Sequence, residues 1–187
     1  MAPTRREELL EATVEYLLKN GAASLSLRPL AAAIGTKARL LIYHFGSRDV
    51  LVSSALSVLL GRIQQTFLTM HSAATLDRTL LGFWRWATDK PNEPYLRLLF
   101  EVHGLAIRDP ERYGPYLRGA MDSWKVLITE RLNKRKLTAR QREELATLII
   151  ATVDGLLLDY LATGDRDRTT RTLTLFTKRL KKEVGER

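Results

Sequence analysis

Apolar residues recur along this chain at intervals of three and four, the spacing of helices, and they never alternate with polar residues as they would in strands. Within residues 25–51 this spacing predicts a short helix, and its apolar face is Leu27, Leu30, Ala31 and Ile34. Ser26 is a suitable N-cap for that helix and Pro29 is tolerated in its first turn. Gly35 then supplies a turn, so the pattern predicts a helix-turn-helix.

The second helix of this motif has two chemically distinct sides. If Leu41 and Phe45 are its buried pair, a rotation of about 100° per residue points Arg39 and Tyr43 almost directly away from them. The residues that flank this exposed side are Thr36, Lys37 and Leu40. A guanidinium and an aromatic hydroxyl that face outward together suit the major groove of DNA. The alternative is a solvated helix of an ordinary bundle.

The distribution of charge favours the DNA-binding interpretation. The chain has a net charge of +9, and no acidic residue lies between Glu15 and Asp49. The five cations of this interval are Lys19, Arg28, Lys37, Arg39 and Arg48. Because an ordinary solvated surface mixes both signs, an interval without carboxylates indicates contact with a polyanion.

The segments LSLRPLAAAIG and LLIYHFGSRDVL, at their spacing here, resemble the TetR family of transcriptional regulators over the first third of the chain. The resemblance implies an all-α fold: an N-terminal three-helix DNA-binding unit with the helix-turn-helix, a long connecting helix, and a C-terminal helical ligand-binding and dimerisation domain. We therefore predict a DNA-binding domain at residues 1–47 and a helical effector-binding and dimerisation domain at 48–187.

The chain departs from the family pattern at two positions of the recognition helix. The usual Tyr is replaced by Ile42, with Tyr43 one step later, and the usual small or polar residue is replaced by Leu40, which could meet a thymine methyl. Residues that match the family are His44, Phe45, Ser47, Arg48 and Asp49. Our predicted DNA contacts are Arg28, Thr36, Lys37, Arg39, Leu40, Tyr43, His44 and Arg48.

Seven further predictions concern helices, at residues 4–20, 50–70, 75–88, 95–108, 111–133, 145–160 and 169–183. The last two have wide apolar faces, which would be buried by a second copy of the chain in a four-helix interface. The alternative is that both helices pack inside one chain. The predicted interface residues are Ile149, Thr152, Leu156, Tyr160, Leu173, Phe176 and Leu180.

Aromatic residues, including all three tryptophans, concentrate between the connecting helix and these last helices. Aromatic walls with a few polar groups suit a pocket for a small apolar or aromatic effector, although plain core is the alternative. The predicted pocket residues are Phe83, Trp84, Tyr95, Phe100, His103, Tyr116, Trp124 and Asp154. Effector binding would tilt the connecting helix and separate the two DNA-binding motifs of a dimer.

Other classes of protein receive little support from the sequence. The three histidines, His44, His71 and His103, form no metal pair, and no phosphate loop or nucleophile elbow is present, so we expect neither an enzyme nor a cofactor or metal. The chain has no cysteine, which excludes disulfide and thiolate chemistry. We find neither a signal peptide nor an apolar run near the roughly 20 residues of a membrane span, and we expect a cytoplasmic, nucleoid-associated protein.

These observations predict a sequence-specific transcriptional regulator that binds double-stranded operator DNA as a homodimer and is a repressor released from a palindromic operator by a small effector. Two alternatives stay open. The first is an activator of the same fold. The second is a non-catalytic helical interaction protein that uses a basic surface, such as KRLKK at 178–182, to meet membranes or acidic partners.

Overall fold

A computed structural model describes residues 3–23, 25–70, 75–133 and 136–183, which form nine α-helices and no strand, so the predicted all-α fold is confirmed. The helices are α1 (Arg5–Asn20), α2 (Leu27–Ala33), α3 (Ala38–Phe45), α4 (Arg48–Met70), α5 (Leu76–Ala87), α6 (Glu93–Arg108), α7 (Gly114–Leu132), α8 (Ala139–Thr163) and α9 (Arg166–Glu183). A short 3-10 turn, Lys90–Asn92, precedes α6.

Capping explains why the helices begin where they do. At the start of α1, the Thr4 hydroxyl accepts a hydrogen bond from the Glu7 amide at 3.3 Å while the Glu7 carboxylate accepts one from the Thr4 amide at 2.7 Å. Thr138 and Gln141 form the same capping box before α8, which therefore begins six residues earlier than the apolar pattern predicted. Ser26 is the N-cap of α2, but its side chain makes no capping hydrogen bond within the described residues.

The described residues form two compact units. The first contains those of 1–63 together with 97–120, and in it α1 packs against α2 and α2 against α3. Its fully buried side chains include Leu9, Val14, Leu17, Leu30, Leu41 and Leu51. These units are defined by packing, so the functional boundary between residues 47 and 48 stays a prediction.

The second unit contains the described residues of 64–96 and 121–187, and in it α9 packs against α5 and α8. Trp84 is its largest fully buried side chain, and the indole N–H donates a hydrogen bond to the Thr170 hydroxyl at 2.8 Å. Other core side chains of this unit are Phe67, Leu80, Ile149, Leu157 and Leu173.

Two helical stretches, Arg48–Thr69 and Ala139–Thr163, have the length and composition that a membrane crossing requires, with mean hydropathies of 1.2 and 1.7. This differs from the expectation that no apolar run approaches the length of a membrane span. Length and composition are weak evidence, because a helix packed in a protein core passes the same test. Asp154 and Asp159 lie within the second stretch, and a carboxylate at the centre of a bilayer is costly. Asp159 accepts hydrogen bonds from both terminal nitrogens of Arg168, at 2.7 and 2.8 Å.

Candidate nucleic-acid interface and its connections

The recognition helix α3 presents opposite chemistry on its two sides. Leu41 and Phe45 are 0% and 5% exposed, as the helical angle predicted, whereas Tyr43 is 80% exposed and Arg39 is also exposed. Ile42, at the position where the family usually has Tyr, is 39% exposed. The aromatic hydroxyl of this helix is therefore carried by Tyr43, on the side that faces away from the core.

A surface groove of about 610 Å³ runs along this side of α3. It is lined by Arg5, Gly35, Thr36, Lys37, Arg39, Leu40 and Tyr43, which include five of the eight predicted DNA contacts. The groove combines cations, hydroxyls and one apolar side chain, the groups that proteins use on phosphates, base edges and thymine methyls. Sequence reasoning missed Arg5, because it lies in the first turn of α1, some thirty positions before α3.

The other three predicted contacts have different surroundings. Arg28 is exposed on α2, and the half-buried ring of His44 lies edge-on to that of Tyr43, with 5.1 Å between centroids. Arg48 donates from Nε to the Leu25 carbonyl at 2.8 Å and from Nη1 to the Asp49 carboxylate at 2.9 Å. These internal partners join the segment before α2 to the start of α4, and the phosphate contact of Arg48 stays a prediction.

The first helix supports α3 from the side of the core. The Arg6 guanidinium lies over the Phe45 ring, 4.8 Å from its centroid, a cation–π contact between α1 and α3. Glu11 of α1 also forms an ion pair with Arg62 of α4. The Arg6 contact bears directly on the recognition helix, the Glu11 ion pair joins α1 to α4, and neither uses a group that lines the exposed groove.

Glu101 of α6 holds the turn between α1 and α2. Its carboxylate accepts hydrogen bonds from the amides of Ala22, at 3.0 Å, and Ala23, at 2.7 Å. Gly21 makes this approach possible, since a Cβ atom there would lie 2.7 and 2.9 Å from the two carboxylate oxygens. Gly21 also has φ +79°, a conformation that other residues rarely adopt. We call this contact the Glu101 clamp.

A second connection joins the α6–α7 turn to the start of α4. Arg112 donates from Nε to the Asp49 carboxylate at 2.7 Å, and its Nη2 contacts the same oxygen. The hydrogen bond from Arg112 lowers the pKa of Asp49, and Arg48 lowers it further. We call this contact the Arg112 clamp. Both clamps tie residues 97–120 to the helix-turn-helix within the first unit.

The predicted effector residues fall into two groups. In the second unit, Phe83, Tyr95 and Trp124 belong to an aromatic cluster with Phe67 and Trp86, in which neighbouring ring centroids are 5.4 to 6.0 Å apart. Trp84, which is 1% exposed, is a core residue, not a pocket wall. The remaining second-unit residue, Asp154, is half-buried on α8.

Phe100, His103 and Tyr116 lie in the first unit. The Tyr116 hydroxyl donates to the Leu56 carbonyl of α4 at 3.1 Å, and burial raises the pKa of Tyr116 to about 12. This contact joins α7 to the long helix α4 and is the third, after the two clamps, from residues 97–120 to the rest of the first unit. His103 is half-buried on α6, and His71 lies outside the described residues. No group of metal-ligating side chains is present in the part of the chain that the structure describes.

The predicted dimer residues divide by burial. Ile149, Leu173 and Leu180 are 1%, 0% and 5% exposed, so they pack inside the chain and offer no surface to a second copy. Thr152, Leu156, Tyr160 and Phe176 are half-buried. The exposed apolar side chains of α8 and α9 are instead Leu148, Leu158 and Leu175, each slightly more than half exposed.

Residues 9–55 match the family model of bacterial regulatory proteins, tetR family. Among solved structures, a transcriptional regulator from Rhodococcus sp. Rha1 superposes with a TM-score of 0.80 at 18% identity, covering 96% of this chain and 97% of that one. A TetR-family regulator from Cytophaga hutchinsonii gives 0.78 at 18%, covering 95% and 97%. A transcriptional regulator from Saccharomonospora viridis, in complex with choline, gives 0.73 at 19%, covering 92% and 95%. At these identities the likeness establishes a shared fold. No curated protein sequence matches the chain.

Proposed function

We propose that this chain is a transcriptional regulator of the TetR family, a homodimeric repressor that binds a palindromic operator and is released by a small apolar or aromatic effector. The observation that carries the proposal is the groove along α3. Its role is binding and not catalysis, and the protein would act at the nucleoid in the cytoplasm.

Each group of the groove has a chemically suitable partner on DNA. The Arg39 guanidinium can donate two hydrogen bonds to O6 and N7 of a guanine, and Leu40 can contact a thymine methyl. Lys37 and Arg5 are cations at the ends of helices α3 and α1, where they can bind phosphate oxygens. The Tyr43 hydroxyl can hold a phosphate beside them.

A dimer would bring two such grooves to the two halves of a palindrome. Support comes from an exposed stripe on α8 with the three-four spacing of a helix-packing seam: Leu148, Ala151, Gly155, Leu158 and Ala162. Small residues at its centre allow two backbones to approach closely. Because these side chains are exposed and largely apolar, burying them against a second copy is favourable.

The proposal also includes control of operator binding by an effector. The aromatic cluster of the second unit offers apolar walls for a ligand, and the relative from Saccharomonospora viridis holds choline within the same fold. The Glu101 and Arg112 clamps supply contacts through which a shift of α6 would reach the helix-turn-helix. A ligand that favours one position of α6 would then change operator affinity.

The decisive experiment is selection of genomic DNA fragments by the purified protein at one fixed salt concentration. The wild type should enrich a single palindrome, whereas Arg39→Ala should lose about 10- to 100-fold discrimination at the base pair that it reads. Arg179→Ala, which removes an exposed cation of α9, is the matched control and should behave as wild type. Equal, sequence-independent binding by wild type and Arg39→Ala would instead support a basic interaction protein.

The dimer is tested separately by light scattering on the purified chain. Leu158→Glu places a charge in the exposed stripe of α8 and should yield monomers that bind the operator weakly. Ile107→Glu introduces the same charge at an exposed apolar position of a different helix, α6, and should leave the dimer intact. A dimer that survives Leu158→Glu unchanged, or full affinity for an isolated half-site, would contradict the two-fold arrangement.

A further inference from the structure

His103 of α6 has one satisfied ring nitrogen and one unsatisfied one. Nδ1 lies 2.8 Å from the carbonyl oxygen of Leu99, one turn earlier in the helix. Because a carbonyl oxygen can only accept, Nδ1 carries the hydrogen, and in the neutral ring Nε2 is then an acceptor with a free lone pair. Nε2 is buried and has no hydrogen-bond partner among the residues that the structure describes.

On α6, the neighbours of His103 one turn before and one turn after it are apolar. The ring of Phe100 lies 5.8 Å away between centroids, and Ala106, one turn later, is 6% exposed. Glu101, the nearest charged residue along α6, is committed to the amides of the α1–α2 turn. A buried acceptor in such surroundings is costly unless a donor reaches it, which marks Nε2 as a position that a ligand can complete.

Building on the effector control proposed above, we propose that His103 Nε2 accepts a hydrogen bond from the effector, and that the effector is an aromatic compound bearing a neutral hydroxyl or N–H group. In the neutral ring, a carboxylate would present one lone pair to another at this atom, and a quaternary nitrogen has no hydrogen to donate. An aromatic ring suits the neighbouring Phe100 ring, with which it can stack or meet edge to face.

This position also connects the ligand to the DNA-binding motif. His103 and Glu101 stand two residues apart on the same helix, and Glu101 holds the α1–α2 turn directly. A ligand that draws Nε2 toward its donor therefore acts on the helix that forms the Glu101 clamp. The coupling needs no contact between the ligand and the recognition helix itself.

Matched pairs of small aromatic compounds test this assignment by isothermal titration calorimetry. The pairs are 2-naphthol with 2-methoxynaphthalene and indole with 1-methylindole, which differ in the presence of a donor. The wild type should bind the donor-bearing member about 10-fold more tightly. His103→Phe keeps an aromatic ring but removes the acceptor, so the preference should fall below about 2-fold. His103→Gln retains an acceptor oxygen and should restore part of the preference.

A second measurement does not depend on any ligand. The ¹⁵N side-chain signals of His103, assigned by comparison with His103→Gln, should show a protonated Nδ1 and an unprotonated Nε2, and 2-naphthol should shift Nε2 most. Equal binding of the paired compounds by the wild type would overturn the proposal. The opposite tautomer would overturn it too, as would failure of both donor-bearing compounds to bind at millimolar concentration.

Operator binding with and without 2-naphthol separates this inference from the regulatory function. A donor preference that depends on His103, with no change in operator affinity, would keep the ligand site and refute release by effector. A wild type that binds the paired compounds equally but still selects a palindrome would refute the ligand site and keep the DNA-binding function. Melting temperatures of both His103 variants, measured in parallel, identify any variant that fails to fold.

Discussion

A double-mutant cycle on Gly21 and Glu101 examines whether α6 holds the α1–α2 turn as tightly as its geometry indicates. Glu101→Ala removes the acceptor of two amides. The Ala22 residue is fully buried, so its N–H would be left without a partner, whereas Ala23 is exposed and its N–H can bind water. The loss should therefore come mainly from Ala22 and amount to about 2 kcal/mol in the free energy of unfolding.

Gly21→Ala should lower the free energy of unfolding by more than the strain of its backbone conformation alone. A residue with a side chain at φ +79° and ψ 177° loses about 2 kcal/mol. The new Cβ atom would also displace the Glu101 carboxylate, which removes the same two hydrogen bonds and adds about 2 kcal/mol. In a protein that already carries Glu101→Ala, Gly21→Ala adds only the backbone strain, because the two hydrogen bonds are already gone. The double variant should therefore lose about 4 kcal/mol of unfolding free energy, whereas the sum of the two single losses is about 6.

Urea unfolding of the four proteins, followed by circular dichroism, measures this coupling of about 2 kcal/mol. Gly35→Ala combined with Glu101→Ala is the matched control, because Gly35 also has φ +67° but a Cβ there would meet no described atom within 4 Å. That control pair should be additive. If the Gly21 and Glu101 variants were additive too, the carboxylate would be free to move at little cost, and the Glu101 clamp would not restrain the turn.

Three further outcomes follow from individual contacts. Lys37→Ala should reduce the slope of log affinity against log salt by about 2 for a dimer on its operator, because each copy loses one phosphate contact; an unchanged slope would exclude Lys37 from the phosphates. Tyr116→Phe removes the hydrogen bond to Leu56 and should cost about 1 kcal/mol at pH 7. Because the folded-state pKa of Tyr116 is raised to about 12, the wild type should lose stability as pH rises from 10 to 12 and the variant should lose less, which thermal unfolding at alkaline pH measures. For Asp49 the pKa is lowered in the folded state, so its contribution to stability is present at neutral pH and should vanish as pH falls below about 4. Asp49→Asn or Arg112→Ala should therefore reduce the loss of stability at acid pH, measured in the same assay.

The helix-turn-helix could be predicted from the sequence because its determinants are local. The period of apolar residues fixes which side of α3 is buried, and this alone placed Leu41 and Phe45 in the core and Tyr43 outside. Gly35, with φ +67°, occupies the turn that the sequence assigned to it. The groove needed one more fact, the proximity of Arg5, which depends on how α1 packs and is not written in local spacing.

The face of α8 shows why the dimer surface was harder to predict. Apolar residues surround this helix, so its sequence contains two overlapping stripes and no polar side to distinguish them. The stripe through Ile149 and Leu157 packs inside the chain, while the stripe through Leu148 and Leu158 is exposed. Which of the two turns inward is decided by α9 and the rest of the second unit, not by α8 itself.

The contacts of Arg48 also depend on tertiary packing that sequence spacing does not reveal. A cation that follows a recognition helix suits a phosphate, and nothing in the sequence indicates that the Leu25 carbonyl, 23 residues earlier, is its acceptor. The Glu101 and Arg112 clamps join residues 78 and 63 positions apart, so no periodic pattern could have revealed them. Long-range polar contacts depend on tertiary packing and were missed for that reason.

The clamps also bear on the electrostatics of the DNA-binding surface. The interval without acidic residues ends at Asp49, and folding brings the Glu101 carboxylate against Ala22 and Ala23 near its start. Unpaired, these two charges would oppose a polyanion. Asp49 instead lies between two guanidinium groups, those of Arg48 and Arg112, which together exceed its charge by one. Glu101 is turned toward backbone amides and accepts from both of them. The contacts that fasten α6 and its following turn to the motif therefore also keep the positive field around α3 largely intact.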